Sequence, residues 1–151
     1  MNPTDPFIWE VRTYIYQHFV ATTHAPTRLA VAAHFALSAA DVADVFAALA
    51  AQHALFLDAE SGEIQIANPF SAVPTNFITE VNGQRYWANC AWDSLGVIVA
   101  VGGRAGQVQA RCAADGQPLA IAVVDGEVVD NGAIAHVLTP FRHWYDDMVH
   151  T

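Results

Sequence analysis

Arg85-Tyr86-Trp87-Ala88-Asn89-Cys90-Ala91-Trp92-Asp93-Ser94-Leu95 sets a thiol and a carboxylate three residues apart inside an apolar stretch. Side chains at i and i+3 are neighbours on an α-helix, so a helical reading puts Cys90 and Asp93 on one face. Cysteine alone often serves as a small buried hydrophobe. An aspartate on the same buried face needs a partner or a chemical task. Two readings follow: a core cysteine beside a capping aspartate, or a nucleophile beside a proton-transfer group.

Working outward, residues 77–81 and 84–86 flank Asn82-Gly83, the strongest short signal for a tight β-hairpin. From Trp87 to about Val101 the chain is apolar with little alternation and is followed by Gly102-Gly103, which predicts a helix closed by a glycine cap. The β-branched run Val97-Ile98-Val99 weakens that helix. Beyond it, residues 107–112 and 119–124 flank a polar turn and read as a second hairpin. Asp125-Gly126 turns the chain again, and residues 133–138 read as one more strand.

On the N-terminal side, Asp5-Pro6 reads as an N-cap with proline at the first helical position, followed by Ile8, Val11, Ile15 and Phe19 at helical spacing. Thr27 caps a second expected helix through Phe35, with Leu29, Ala32 and Ala33 inward. Ser38-Ala39-Ala40-Asp41 resembles a capping box, and Val42, Val45, Phe46 and Leu49 continue the apolar stripe. Residues 54–57 and 64–66 then form a hairpin around a polar turn. Three helices and a hairpin give the order of a winged helix-turn-helix, yet residues 38–52 contain no Arg or Lys, so a DNA reader is not expected. Residues 1–67 are therefore expected to be a winged-helix-like module, 68–76 a proline-bounded linker and 77–151 a second, α+β domain with antiparallel strands.

With 151 residues the chain can bury a sizeable core. Six Lys+Arg against fifteen Asp+Glu give a net charge of −9, which disfavours nucleic acid and, less strongly, anionic metabolites. No apolar run is long enough for a membrane span, and the N-terminus lacks the pattern of a secretory signal. Two cysteines do not make a disulfide scaffold, so a reducing cytoplasm is the expected location. The seven histidines show no zinc-binding spacing, residues 102–106 lack the lysine of a phosphate loop, and Asp146-Asp147 reads as a solvated surface pair.

The residues around the opening stretch resemble the alkylmercury lyase (organomercurial lyase) family. Trp87-Ala88-Asn89-Cys90-Ala91-Trp92-Asp93-Ser94-Leu95 is similar to that family's run of an aromatic, Ala, any residue, Cys, Ala, any residue, Asp, Thr or Ser, and Leu. Gly103-Arg104, Val108, Cys112 and Gly116-Gln117-Pro118 follow in matching order. The resemblance implies cleavage of carbon–mercury bonds by thiolate coordination and protonolysis. Cys90 would be the first thiolate ligand of mercury, Asp93 the proton shuttle, and Cys112 a structural cysteine within a strand. Hg(II) is a soft ion and thiolates are the soft ligands of proteins, so the residue types fit. A helix N-terminus is expected to lower the Cys90 pKa from about 8.5. Tyr86, Trp87 and Trp92 are candidate walls for a lipophilic R group.

The resemblance also implies a departure. The family's second catalytic cysteine aligns immediately past Thr151, so the catalytic domain is expected to be C-terminally short relative to the family pattern. His150 is a conceivable substitute ligand. No cofactor is implied; external thiols would be cosubstrates, and Hg(II) or another soft metal the bound product. The implied partner is a small organomercurial or other apolar molecule, with no nucleic acid and no membrane. Two other functions stay open: a non-catalytic protein that binds a soft metal or small apolar ligand, and a biosynthetic enzyme on the same scaffold.

Overall fold

The computed structural model describes residues 5–137 and 139–146. Its contacts divide the chain into two units, Met1–Ala67 and Asn68–Thr151.

In the first unit, α1 (Pro6–Thr22) begins where the Asp5 side chain accepts the Phe7 N–H at 3.0 Å and proline fills the first turn. Its apolar stripe, Ile8, Val11, Ile15 and Phe19, is wholly buried, as the spacing requires. α2 (Arg28–Phe35) is capped by Thr27, whose hydroxyl accepts the Ala30 N–H at 3.1 Å. Its inward residue is Val31, fully buried, whereas Leu29 is 79% exposed. The sequence reading had Leu29, Ala32 and Ala33 inward; a helix of two turns has too few apolar residues for periodicity to fix its rotation. α3 (Ala39–Ala51) carries the expected capping box between Ser38 and Asp41, and buries Val42, Val45, Phe46 and Leu49. β1 (Phe56–Leu57) and β2 (Ile64–Ala67) pair antiparallel around a turn in which Asp58 accepts the Ser61 N–H and hydroxyl.

The second unit is built on an antiparallel sheet. β3 (Phe70–Ser71), β4 (Phe77–Val81), β5 (Gln84–Ala88), β6 (Gly106–Arg111), β7 (Pro118–Val124) and β8 (Glu127–Val128) lie in the order β3-β5-β4-β6-β7-β8. β4 and β5 are joined by Asn82 and Gly83 at φ 53° and 75°, the left-handed pair that a two-residue hairpin turn demands. β4 has a partner strand on each side: Thr79 sits opposite Tyr86 on β5 and Val108 on β6. α4 (Ala91–Ala100) joins β5 to β6 and packs on β4 and β5, burying Ser94, Val97 and Ile98. The chain passes close beneath its C-terminal end. A Cβ on Gly103 would lie 2.5 Å from Val81 Cγ2, and one on Gly106 would lie 2.9 Å from the Glu80 carbonyl oxygen.

Two sequence expectations change here. Trp87 and Ala88 belong to β5, with Trp87 opposite Ile78 and Ala88 opposite Phe77, so the helix starts four residues later than its apolar run suggested. Tyr86 and Trp87 are aromatic residues that suit a pleated surface, and the hairpin register carries them into the sheet. Residues 133–137 are irregular, not a strand, with Ile134 90% exposed. Asp130 accepts the Gly132 N–H in a local turn at 130–132, and the Asn131 amide donates to the Ala120 carbonyl, a β7 group that an additional strand would need. Leu138, the end of that expected strand, lies outside the described residues. Among the described residues, no single helix is long and apolar enough to cross a membrane.

Candidate active site

β5 ends at Ala88, and after Asn89 the chain turns into α4 at Cys90, whose extended backbone (φ −148°, ψ −177°) makes it the N-cap. N-cap side chains accept hydrogen bonds from the orphan N–H groups of the first turn. Here sulfur takes that role: Cys90 Sγ accepts the Asp93 N–H at 3.5 Å, and its own proton points to Asp93 Oδ2 at 3.4 Å. The two side chains thus meet as a reciprocal cap, with Cys90 before the helix and Asp93 within its first turn. The sequence reading placed both on one helix face; the contact it expected is present, made through the cap.

The corner is tied on both sides to β4 and the residues just before it. The Thr75 hydroxyl donates to the Ala88 carbonyl at 2.6 Å, and the Thr79 hydroxyl donates to the Ser94 carbonyl at 2.8 Å. Ser94 closes the turn, its N–H donating to the Cys90 carbonyl at 2.9 Å and its hydroxyl to the Ala91 carbonyl at 2.6 Å. Thr79 and Ser94 are buried. Neither threonine stood out in the sequence. For Thr79 the available signal was a polar residue at an inward position of a strand, where a hydroxyl must find a buried partner.

Electrostatics set the resting state of the pair. Burial pushes the Cys90 thiol above its ordinary pKa, and the nearby Asp93 carboxylate adds to the rise; the N–H groups of Asp93 and Trp92 oppose it and lose. The expected lowering by the helix N-terminus is therefore overturned, because desolvation and a neighbouring negative charge both disfavour a thiolate. Burial likewise raises the Asp93 pKa, against hydrogen bonds from Cys90 and Asn89 that favour the carboxylate. Chemically, the site holds a protonated thiol touching a carboxyl group with enhanced proton affinity.

The other candidates are dispersed. Tyr86 is 2% exposed, packs against the Phe70 ring and donates its hydroxyl to Gln84, so it lies in the core. Trp87 is half-buried, while Trp92, in the first turn of α4, is 73% exposed. Cys112 is not within a strand: it follows β6 and opens the turn to β7, its N–H bound to the Gln117 carbonyl and its carbonyl to the Gly116 N–H. The register puts Cys112 at the same end of the sheet as Cys90, but across β4, about 10 Å of backbone at ordinary strand spacing. Both thiols are free. His150 and Asp147 lie outside the described residues, and among those described no cluster of three or more His, Cys, Asp or Glu could hold a metal. Two surface cavities, of about 460 and 410 Å³, are lined by neither Cys90 nor Asp93. Chemistry, not concavity, marks the site.

Residues 70–148, more than half of the chain and including this whole corner, match the family model described as alkylmercury lyase. The chain belongs to the alkylmercury lyase family. Among solved structures it is similar to one titled "Crystal structure of the mercury-bound form of MerB2", with a TM-score of 0.64 and 21% identity. The likeness covers 82% of this chain and 58% of that one, so the chain spans less than two thirds of its length. At that identity the structural match establishes a shared α+β fold. No curated protein sequence matches the chain.

Proposed function

We propose that this alkylmercury lyase family member cleaves carbon–mercury bonds at the Cys90–Asp93 pair, with free thiol as cosubstrate. The observation that carries the proposal is the 3.4 Å contact between Cys90 Sγ and Asp93 Oδ2, which gives the thiol proton an acceptor and the reaction a proton store. In the first step the thiol proton passes to the Asp93 carboxylate while sulfur bonds to mercury in R–Hg–X and X⁻ departs. In the second, an external thiolate adds to mercury, the C–Hg bond breaks, and the proton held by Asp93 goes to carbon. R–H leaves, Asp93 is again a carboxylate, and Hg(II) remains on Cys90 and the added thiolate. The raised proton affinity of Asp93 suits a group that must take a proton and then deliver it. Mercury is the substrate's own atom, and its softness explains a thiol where most helices place an oxygen cap.

Trp92, exposed beside the corner, offers an apolar face to the R group, and Trp87 is a second wall candidate. The first unit is read as a winged-helix-like interaction module; the absence of Arg and Lys from α3 argues against DNA reading.

The test is hydrocarbon release. Phenylmercury with the protein and excess thiol is expected to yield benzene, with release lost in Cys90→Ser and cut by at least about a hundredfold in Asp93→Asn, at the low end of general acid–base contributions. Stoichiometric retention of mercury by Cys90 without any benzene would replace this reading with that of a soft-metal binding protein.

A further inference from the structure

The hydrogen bonds inside the Cys90–Asp93 cap are long sulfur contacts of 3.4 and 3.5 Å. Sulfur is a weak donor and acceptor, so these contacts cannot by themselves hold two side chains in one geometry. A site that passes a proton between two groups needs them fixed within a fraction of an ångström, which is the task of supporting residues. Around residues 89–93, two short hydroxyl–carbonyl bonds come from outside the corner. Thr75 fixes the carbonyl before it, at Ala88, and Thr79 fixes the carbonyl after it, at Ser94. Both threonines belong to one stretch of chain: Thr79 is in β4, paired there with β5 on one side and β6 on the other, and Thr75 lies two residues before that strand. Thr75 is itself oriented, because its hydroxyl oxygen also accepts the Phe77 N–H at 3.1 Å. Thr79 is fully buried, so its hydroxyl has no water to turn to.

We propose that Thr75 and Thr79 are positioning residues that bracket the strand-to-helix corner and hold Cys90 Sγ against the Asp93 carboxylate. They touch no reacting atom and act through the backbone at Ala88 and Ser94. The inference deepens the reading of Cys90–Asp93 as a working pair, and it rests on that reading for its relevance to catalysis.

A coupling measurement tests it without mercury. In a Cys112→Ser background, the pH profile of Cys90 alkylation by iodoacetamide reports the acidity of that thiol alone. Removing the neighbouring charge with Asp93→Asn is expected to move the profile to lower pH, because the carboxylate raises the thiol pKa. In Thr79→Val and Thr75→Val, the corner loosens and most of that Asp93-dependent shift is lost; Thr79→Ser and Thr75→Ser keep the hydroxyls and retain it. A full shift in the folded valine variants overturns the proposal, as does loss of the shift in the serine variants. Thr75 is part-buried and the milder change, so Thr75→Val carries the test if Thr79→Val does not fold. A merely structural role would lower the unfolding midpoint and leave the coupling unchanged. Intact coupling without benzene release would sink the lyase reading and leave this inference standing.

Discussion

Cys90 occupies a position that serine, threonine, aspartate or asparagine usually fills, and it does so with a group of little capping strength. Cys90→Ser therefore supplies an equal or better cap. Its unfolding free energy is expected to stay within about 1 kcal/mol of the parent, while uptake of Hg(II) at this corner disappears; calorimetry and mercury titration in a Cys112→Ser background read the two effects. Asp93 behaves in the opposite sense. Its carboxyl holds its proton more tightly folded than unfolded, so its contribution to stability is fully present below the unfolded carboxylate pKa and is lost as pH rises through the raised folded value. Asp93→Asn is expected to raise the denaturation midpoint at neutral pH. The gain should vanish below about pH 4, where the aspartate is protonated in both states. The pair itself was legible from the spacing of Cys90 and Asp93. Its acidity was not: a helix N-terminus can be read from sequence, but the burial that outweighs it depends on packing between α4 and the sheet.

Elements were legible wherever cap and periodicity agreed. α1 and α3 each have a side-chain cap and four buried residues at helical spacing, and both form as read. α2 was placed correctly by Thr27, but its short apolar run did not reveal that Val31, not Leu29, faces inward. The boundary between β5 and α4 was missed because Tyr86 and Trp87 suit strand and apolar helix alike, and only the hairpin register decides between them. Gly103 matched the family pattern without a stated cause, and the structure supplies one: the turn after α4 passes so close to β4 that a methyl group would meet Val81 at 2.5 Å. Gly103→Ala is expected to cost about 1–3 kcal/mol through overpacking, visible as an earlier thermal midpoint. Gly83→Ala meets no neighbour but must hold a positive φ, so it strains the hairpin backbone instead of the core.

At the scale of the whole molecule, the chain sets a partly buried thiol–carboxylate corner in a protein of net charge −9. That surface field works against anionic ligands and leaves neutral or cationic organomercurials unopposed. The order of three helices followed by antiparallel strands was visible in the change from 3.6-residue to two-residue periodicity near residue 54. The irregular stretch 133–137 was not, since its apolar residues resemble a strand and only the hydrogen bonds around β7 show otherwise. The lyase reading draws on both scales, the family match over residues 70–148 and one 3.4 Å contact within it. Its most direct test is intact-protein mass spectrometry of the Cys112→Ser protein after a single equivalent of phenylmercury, followed by thiol and rapid quenching. The account predicts that the protein with Asp93 passes from a phenylmercury adduct on Cys90 to one bearing mercury without the phenyl group, while Asp93→Asn accumulates the phenylmercury adduct. A phenylmercury adduct that persists with Asp93 present, or that clears equally fast in Asp93→Asn, would contradict it.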